Sequence, residues 1–320
     1  MKRIIATDEA GYGPQLGPLV IASTCWDCDP ALPSDVAFDQ LVGRLRSSTL
    51  THVELADSKK LFGQRKAGGL ASLESAMISV AACLSETMID RLDLWLDLIS
   101  PSAGDRLRDL KWYAALKVPF PEAVPAVTDW QSFASDIRAI WKTESLALTG
   151  AVTEVVPASL FNLWCQDAGN KATLLTETTL RLVAPQIEAS DARQIDVYCD
   201  KHGGRAFYGG VLQHFFPDAE LSIVEEGRLQ SRYRLQRNDQ SITWNFTAKG
   251  DAFPPVALAS MIAKYTRERL MGVFNAYWGA KVEGLAPTAG YPGDAQRFLR
   301  DIADAIARDQ IDHSTLVRSR

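Results

Sequence analysis

The stretch RIIATDEAGYGPQLGPLVIASTCW, residues 3–26, decides how the chain is read. Its first half is apolar and reads as a strand that closes on two acids, Asp8 and Glu9. A Gly/Pro turn then leads into a second apolar run, PLVIASTCW, and the two runs together form a hairpin. An ionised carboxylate at the end of a buried strand is costly unless a cation or several donors meet it. The pair therefore either sits on a surface turn or binds something positive. Adjacent strand residues point to opposite faces, so Asp8 and Glu9 share a site only if the strand is ending there. Gly11, Gly13 and Pro14 are read as that ending.

Two distant places repeat the pattern of an acid beside glycine. The short apolar run QIDVYCD, 194–200, ends in Asp200 shortly before Gly203. Gly250 and Asp251 precede two prolines at the start of a long helix, where proline is tolerated. Hard divalent cations prefer oxygen ligands, and four such carboxylates meeting at element ends supply them for two metals. Two metals held close together clamp the attacking and leaving oxygens of a phosphodiester. On the residues alone, acids scattered over unrelated turns are an equal alternative.

The rest of the chain alternates strands and helices. A loop through ELADSKKLFGQRK leads to a helix near 64–86. LALTGAVTEVV reads as a strand, NKATLLTETTLRLVAPQI as a helix ended by Pro185, and ELSIVEE as a strand. SRYRLQR and SITWNFTAKG read as a hairpin about an Asn-Asp turn. A long helix from 252 and a final helix in DAQRFLRDIADAIARDQ form a C-terminal helical part, 252–320. Residues 88–143 carry Trp95, Trp112, Trp130 and Trp141 between prolines and short helical pieces. That is too aromatic for a linker, and it reads as an inserted helical subdomain in one domain spanning 1–320. Its tryptophans are expected to close a small satellite core, with packing on the main domain, on a second copy of the chain or on substrate bases as the alternatives. The fold class is α/β, with three layers around a mixed sheet.

At 320 residues, 47% hydrophobic and 23% charged, the composition is that of an ordinary globular protein. No apolar run reaches the roughly 20 residues that span a bilayer, and the start does not read as a secretory signal, so a cytoplasmic location is expected and no membrane partner. Five scattered cysteines fit a reducing compartment, and the single CWDC at 25–28 lacks the second pair of a zinc site. A net charge of −5 argues against non-specific coating of nucleic acid. Local basic clusters remain: Lys59 with Lys60, Arg65 and Lys66; Arg228 with Arg232, Arg234 and Arg237; Lys264 with Arg267 and Arg269. Each read singly is a solvated face. Of the four histidines only His202, two residues past Asp200, is placed to help move a proton.

Four blocks, TDEAGYGPQLGPLV, ADSKKL (56–61), KGDAFPPVALASMIAKYTRERLM (249–271) and AGYPGD (289–294), resemble in order the signature blocks of the ribonuclease HII family, the type 2 ribonucleases H. The resemblance covers about half the chain. Residues 88–143 and the hairpin at 228–248 have no obvious counterpart. It implies a ribonuclease H-like three-layer fold and a Mg²⁺- or Mn²⁺-dependent endonuclease with a two-metal site. That activity hydrolyses the RNA strand of RNA–DNA hybrids or ribonucleotides embedded in DNA. The implied metal ligands are Asp8, Glu9, Asp200 and Asp251. Gly11, Tyr12 and Gly13 match the tripeptide that grips the junction after a ribonucleotide, Lys59 a phosphate-contacting lysine, and Tyr291 a tyrosine that stacks on the sugar beside the scissile bond. Lys264 is placed on a face turned to phosphate or solvent. The family usually has arginine where this chain has Tyr12, and DKHGGR is not its usual sequence after the third acid. Those departures leave the metal chemistry and open the substrate. The alternatives are a ribonuclease H-fold nuclease for another nucleic acid, such as structured DNA, or a non-catalytic nucleic-acid-binding protein.

Overall fold

The computed structural model describes residues 1–319 apart from 52, 57, 59, 60, 62–68, 126 and 204. Seven strands form one mixed sheet: β1 (Lys2–Ala10), β2 (Leu19–Cys28), β3 (Leu146–Val156), β4 (Gln194–Asp200), β5 (Glu220–Glu226), β6 (Gln230–Arg237) and β7 (Gln240–Thr247). Their order is β3-β2-β1-β4-β7-β6-β5. β1 is antiparallel to β2 and parallel to β4, and β4 is parallel to β7. The hairpin predicted around Asn-Asp is present: Arg237 pairs with Gln240 across a two-residue turn, and Asn238 takes φ 52°.

Helices cover both faces. On one side lie α1 (Ser34–Ser47), α2 (Gly69–Leu84), α3 (Leu92–Ile99), α4 (Ala103–Arg108) and α5 (Trp130–Trp141). On the other lie α6 (Ala158–Ala168), α7 (Lys171–Glu188) and α8 (Gly209–Phe215). The 26-residue α9 (Pro254–Gly279) joins the first group with two prolines in its first turn, followed by α10 (Pro292–Asp301), α11 (Ala303–Arg308) and α12 (His313–Leu316). Strand alternation makes both layers possible: Ile4, Val20, Ala22 and Trp26 face α9, while Ile5, Val197, Trp244 and Phe246 face α7 and α8. Helix α7 runs one turn past Pro185, because so near a helix end the ring removes a single intrahelical bond.

Segment 88–143 does not form a satellite core. Its four tryptophans belong to the same buried cluster as β1, β2 and α9. Trp141 stacks on Trp26 at 6.2 Å, Trp112 stacks on Trp278 at 6.3 Å, and Trp95 meets Tyr265 edge-on. Glu74 of α2, fully buried, accepts the backbone N–H groups of Glu122, Ala123 and Val124 and the Tyr265 hydroxyl, and pairs with Arg269. The cysteines of CWDC lie three apart on one strand and point to opposite faces, so they cannot share a metal.

Candidate active site

The four sequence blocks converge on the C-terminal end of β1. Asp8 sits beside the end of β4, because the parallel register that pairs Thr7 with Cys199 puts Asp200 next to it. Asp251 stands in a 3₁₀ turn at Gly250–Ala252, ahead of α9. The Gly250 N–H donates to Asp200 Oδ1 at 3.0 Å and ties that turn to β4. From the first turns of α9, Ser260 bonds the Asp8 carboxylate and also shares a 2.9 Å bond with Ser58 of the ADSKKL block. Gly290 of the fourth block accepts the N–H groups of Gln15 and Leu16, holding AGYPGD against the loop after β1.

The electrostatics follow from this convergence. Burial pushes the Asp8 carboxyl up to about 7, and the charges of Asp200 and Asp251 push the same way. Hydrogen bonds from Ser260 and the Glu9 N–H oppose the rise. Asp8 therefore lies within reach of the charges of Asp200 and Asp251. As donors the three carboxylates are hard oxygens, the kind a Mg²⁺ or Mn²⁺ ion takes. No group of three or more His, Cys, Asp and Glu side chains among the described residues is already gathered to hold an ion. Instead Asp8 and Asp200 spend oxygens on backbone N–H groups.

Glu9 departs from the expectation. Pairing of β1 with β2 continues through Ala10 and Val20, so the strand has not ended at the acids. Asp8 keeps the face of Asp200, and Glu9 takes the opposite one, where its charge adds to the burial that raises Tyr12.

The loop after β1 is fixed from beneath by two arginines. Arg267, 2% exposed, donates to the carbonyls of Leu16 and Ala289, so it faces the core and neither phosphate nor solvent. Arg318, 3% exposed, donates to the carbonyls of Gly11 and Gly17 and stacks on Phe161. Burial, with the Arg267 charge nearby, lowers its guanidinium to about 9. Gly11, at φ +87°, admits this packing: a Cβ there would lie 2.4 Å from Arg267 Nε and 2.7 Å from the Pro18 carbonyl. Gly13 is open, with only the Tyr291 ring near, at 3.8 Å.

Tyr291 is 54% exposed, with its ring beside Gly13. Tyr12 lies over Lys171 at 4.9 Å, its hydroxyl so close to Gly203 that a Cβ there would be 2.7 Å away. Tyr12, Gly13, Asn170, Lys171 and Arg318 help line a cavity of about 570 Å³ along the loop after β1. Lys264 pairs with Glu268 at 2.7 Å. Lys59 lies outside the described residues. His202 is no proton carrier: it is 2% exposed, bonds Thr176, and burial beside Arg205 lowers it to about 3. Sequence reading missed Ser260, Lys171 and Arg318. The Asn170 cap of α7, which accepts from the Ala172 and Thr173 N–H groups, was a signal for Lys171. Nothing in the last residues of the chain marks Arg318.

The chain is similar in three dimensions to several solved structures. The ribonuclease HII of Archaeoglobus fulgidus, in its complex with PCNA, matches at 15% identity over 99% of this chain and 94% of that one, with a TM-score of 0.42. The ribonuclease H2 of Pyrococcus horikoshii OT3 matches at 14% identity over 98% and 92%, with a TM-score of 0.40. Bst-RNase HIII in complex with Mn²⁺ matches at 15% identity over 99% and 66%, with a TM-score of 0.38. No protein-family model matches the chain, and no curated protein matches it in sequence. Likeness at this level carries no functional argument, and the reading of the site stands on its residues.

Proposed function

We propose that the chain is a divalent-metal-dependent endonuclease of the ribonuclease H type, acting on RNA–DNA hybrids or on ribonucleotides within DNA. One observation carries this reading. Four sequence blocks that resemble the family's signatures, spread from residue 7 to residue 294, meet at the end of β1 and the loop that follows it. In this reading Asp8, Asp200 and Asp251 hold Mg²⁺ or Mn²⁺, and Glu9, on the other face of β1, is not among their ligands. The metals supply an activated water and charge stabilisation for the departing 3′-oxygen. Ser260 orients the Asp8 carboxylate. The loop at 11–13 and Tyr291 receive the sugar and its phosphate, with the loop held rigid by Arg267 and Arg318.

A second reading keeps the chemistry and changes the substrate. It is favoured by Tyr12, which engages Lys171 at the position where the family carries arginine. Cleavage of end-labelled hybrid, single-ribonucleotide and all-DNA duplexes with Mg²⁺ or Mn²⁺ separates the two. Cutting of the first two alone supports the principal reading, and cutting of all-DNA structures the second. No cutting of any duplex removes both.

A further inference from the structure

Beyond β4 the sheet has one covered face and one open face. Val197, Tyr233, Leu235, Trp244 and Phe246 lie in the core beneath α7 and α8. The residues alternating with them point away, and the strand registers align them in rows. Asp200, Thr247 and Gln230 form one row, Tyr198, Asn245 and Arg232 the next, and Asp196, Thr243 and Arg234 the third. On β6 and β7 every residue of this face is polar. Next to the acid cluster it is partly covered, with Asn245 buried and Tyr198 packed against Phe253, and it opens at Arg232 and Arg234 on the hairpin that has no counterpart in the resembled family.

Arg232 gives this face a built feature. Its Nε donates to Asn245 Oδ1 at 3.0 Å, and Asn245 Nδ2 donates to the Val197 carbonyl at 3.3 Å. The guanidinium is thereby anchored to the sheet backbone through its Nε, and its two terminal NH₂ groups bond no acceptor among the described residues. Arg234 is exposed on the same face and pairs with no carboxylate among the described residues. Along the strand the two arginines stand about 7 Å apart, and Arg232 is about 10 Å across the sheet from β4. A planar fork with free terminal donors fits phosphate oxygens, and the half-buried Thr243, Thr247 and Gln230 side chains between the arginines and Asp200 add further donors. Glu220 and Glu225 stand on the outermost strand and bound the basic strip on the side away from the acids.

We propose that this open face is a docking surface for the phosphate backbone of the nucleic acid, which leads from Asp200 across β7 to Arg232 and Arg234. The inference rests on the reading of the chain as a nuclease. Binding of a fluorescent RNA–DNA hybrid of about 24 base pairs, measured in EDTA so that no metal-dependent cleavage intervenes, tests it across a salt series. The R232Q/R234Q double variant is expected to bind about tenfold more weakly at 0.1 M salt (about one Debye length of 10 Å), with a log–log salt slope shallower by about two. R234Q alone, at an exposed position, is expected to lose about one unit of slope. Equal affinity and slope in folded variants overturn the docking surface and leave the nuclease reading standing. A wild-type chain that binds neither hybrid nor DNA duplex overturns both.

Discussion

At the scale of single residues, Asp8 and His202 make opposite demands. The Asp8 carboxyl is pushed from 3.8 up to about 7, so the folded, metal-free chain holds a proton that the unfolded chain has released. That contribution to stability is present at low pH and is lost as the pH rises through about 7. His202 is lowered from 6.5 to about 3, so it stays neutral in the fold while the unfolded chain takes up a proton. Its contribution is present above 6.5 and is lost as the pH falls. In EDTA at pH 8, Asp8→Asn is therefore expected to be more stable than the parent by about 1–2 kcal/mol, discounted for the solvent that reaches the half-buried carboxylate. The difference shrinks towards pH 5, and the variant cuts no substrate. Thermal unfolding across the pH range checks this, and a variant less stable than its parent at pH 8 contradicts it. Gly11→Ala is expected to cost about 2–4 kcal/mol, because a left-handed φ and the buried Arg267 both oppose the methyl group. Gly13→Ala is expected to change stability by less than about 0.5 kcal/mol and to act on substrate through Tyr291 instead. Denaturant midpoints of the two variants that do not differ would contradict this packing.

At the scale of elements, segment 88–143 is part of the wall of the molecule. Trp141→Ala removes a ring stacked on Trp26 and is expected to cost about 3–5 kcal/mol, within one cooperative transition reported alike by near- and far-UV circular dichroism. A separate early transition for this segment would restore the satellite-core reading. The sequence made the helical pieces visible through their periodicity and their aromatic content. Where they pack was hidden, because contacts between residues as far apart as Trp95 and Tyr265 leave no periodic signal. The strands were legible almost to the residue, because each is a short apolar or alternating run between turn residues. Glu9 was misjudged because glycines 11 and 13 suggested an ending that backbone pairing to Val20 postpones. Arg267 was misjudged for a related reason: a basic residue in a helix reads as surface, and its bonds to the Leu16 and Ala289 carbonyls are made by loops distant in sequence.

For the whole molecule, the central claim is that widely separated acids act together on one pair of divalent cations. The sheet brings Asp8 and Asp200 side by side, the turn before α9 adds Asp251, and the like charges that raise Asp8 are those a metal would neutralise. The most direct measurement is the Mn²⁺ binding isotherm of the wild-type chain beside Asp8→Asn, Asp200→Asn and Asp251→Asn, followed by electron paramagnetic resonance at neutral pH with folding checked for each protein. The account predicts saturable binding by the wild type, weakened at least about tenfold by each of the three substitutions, as expected when a shared cation loses one carboxylate. Three folded variants that bind Mn²⁺ as tightly as the wild type would contradict it.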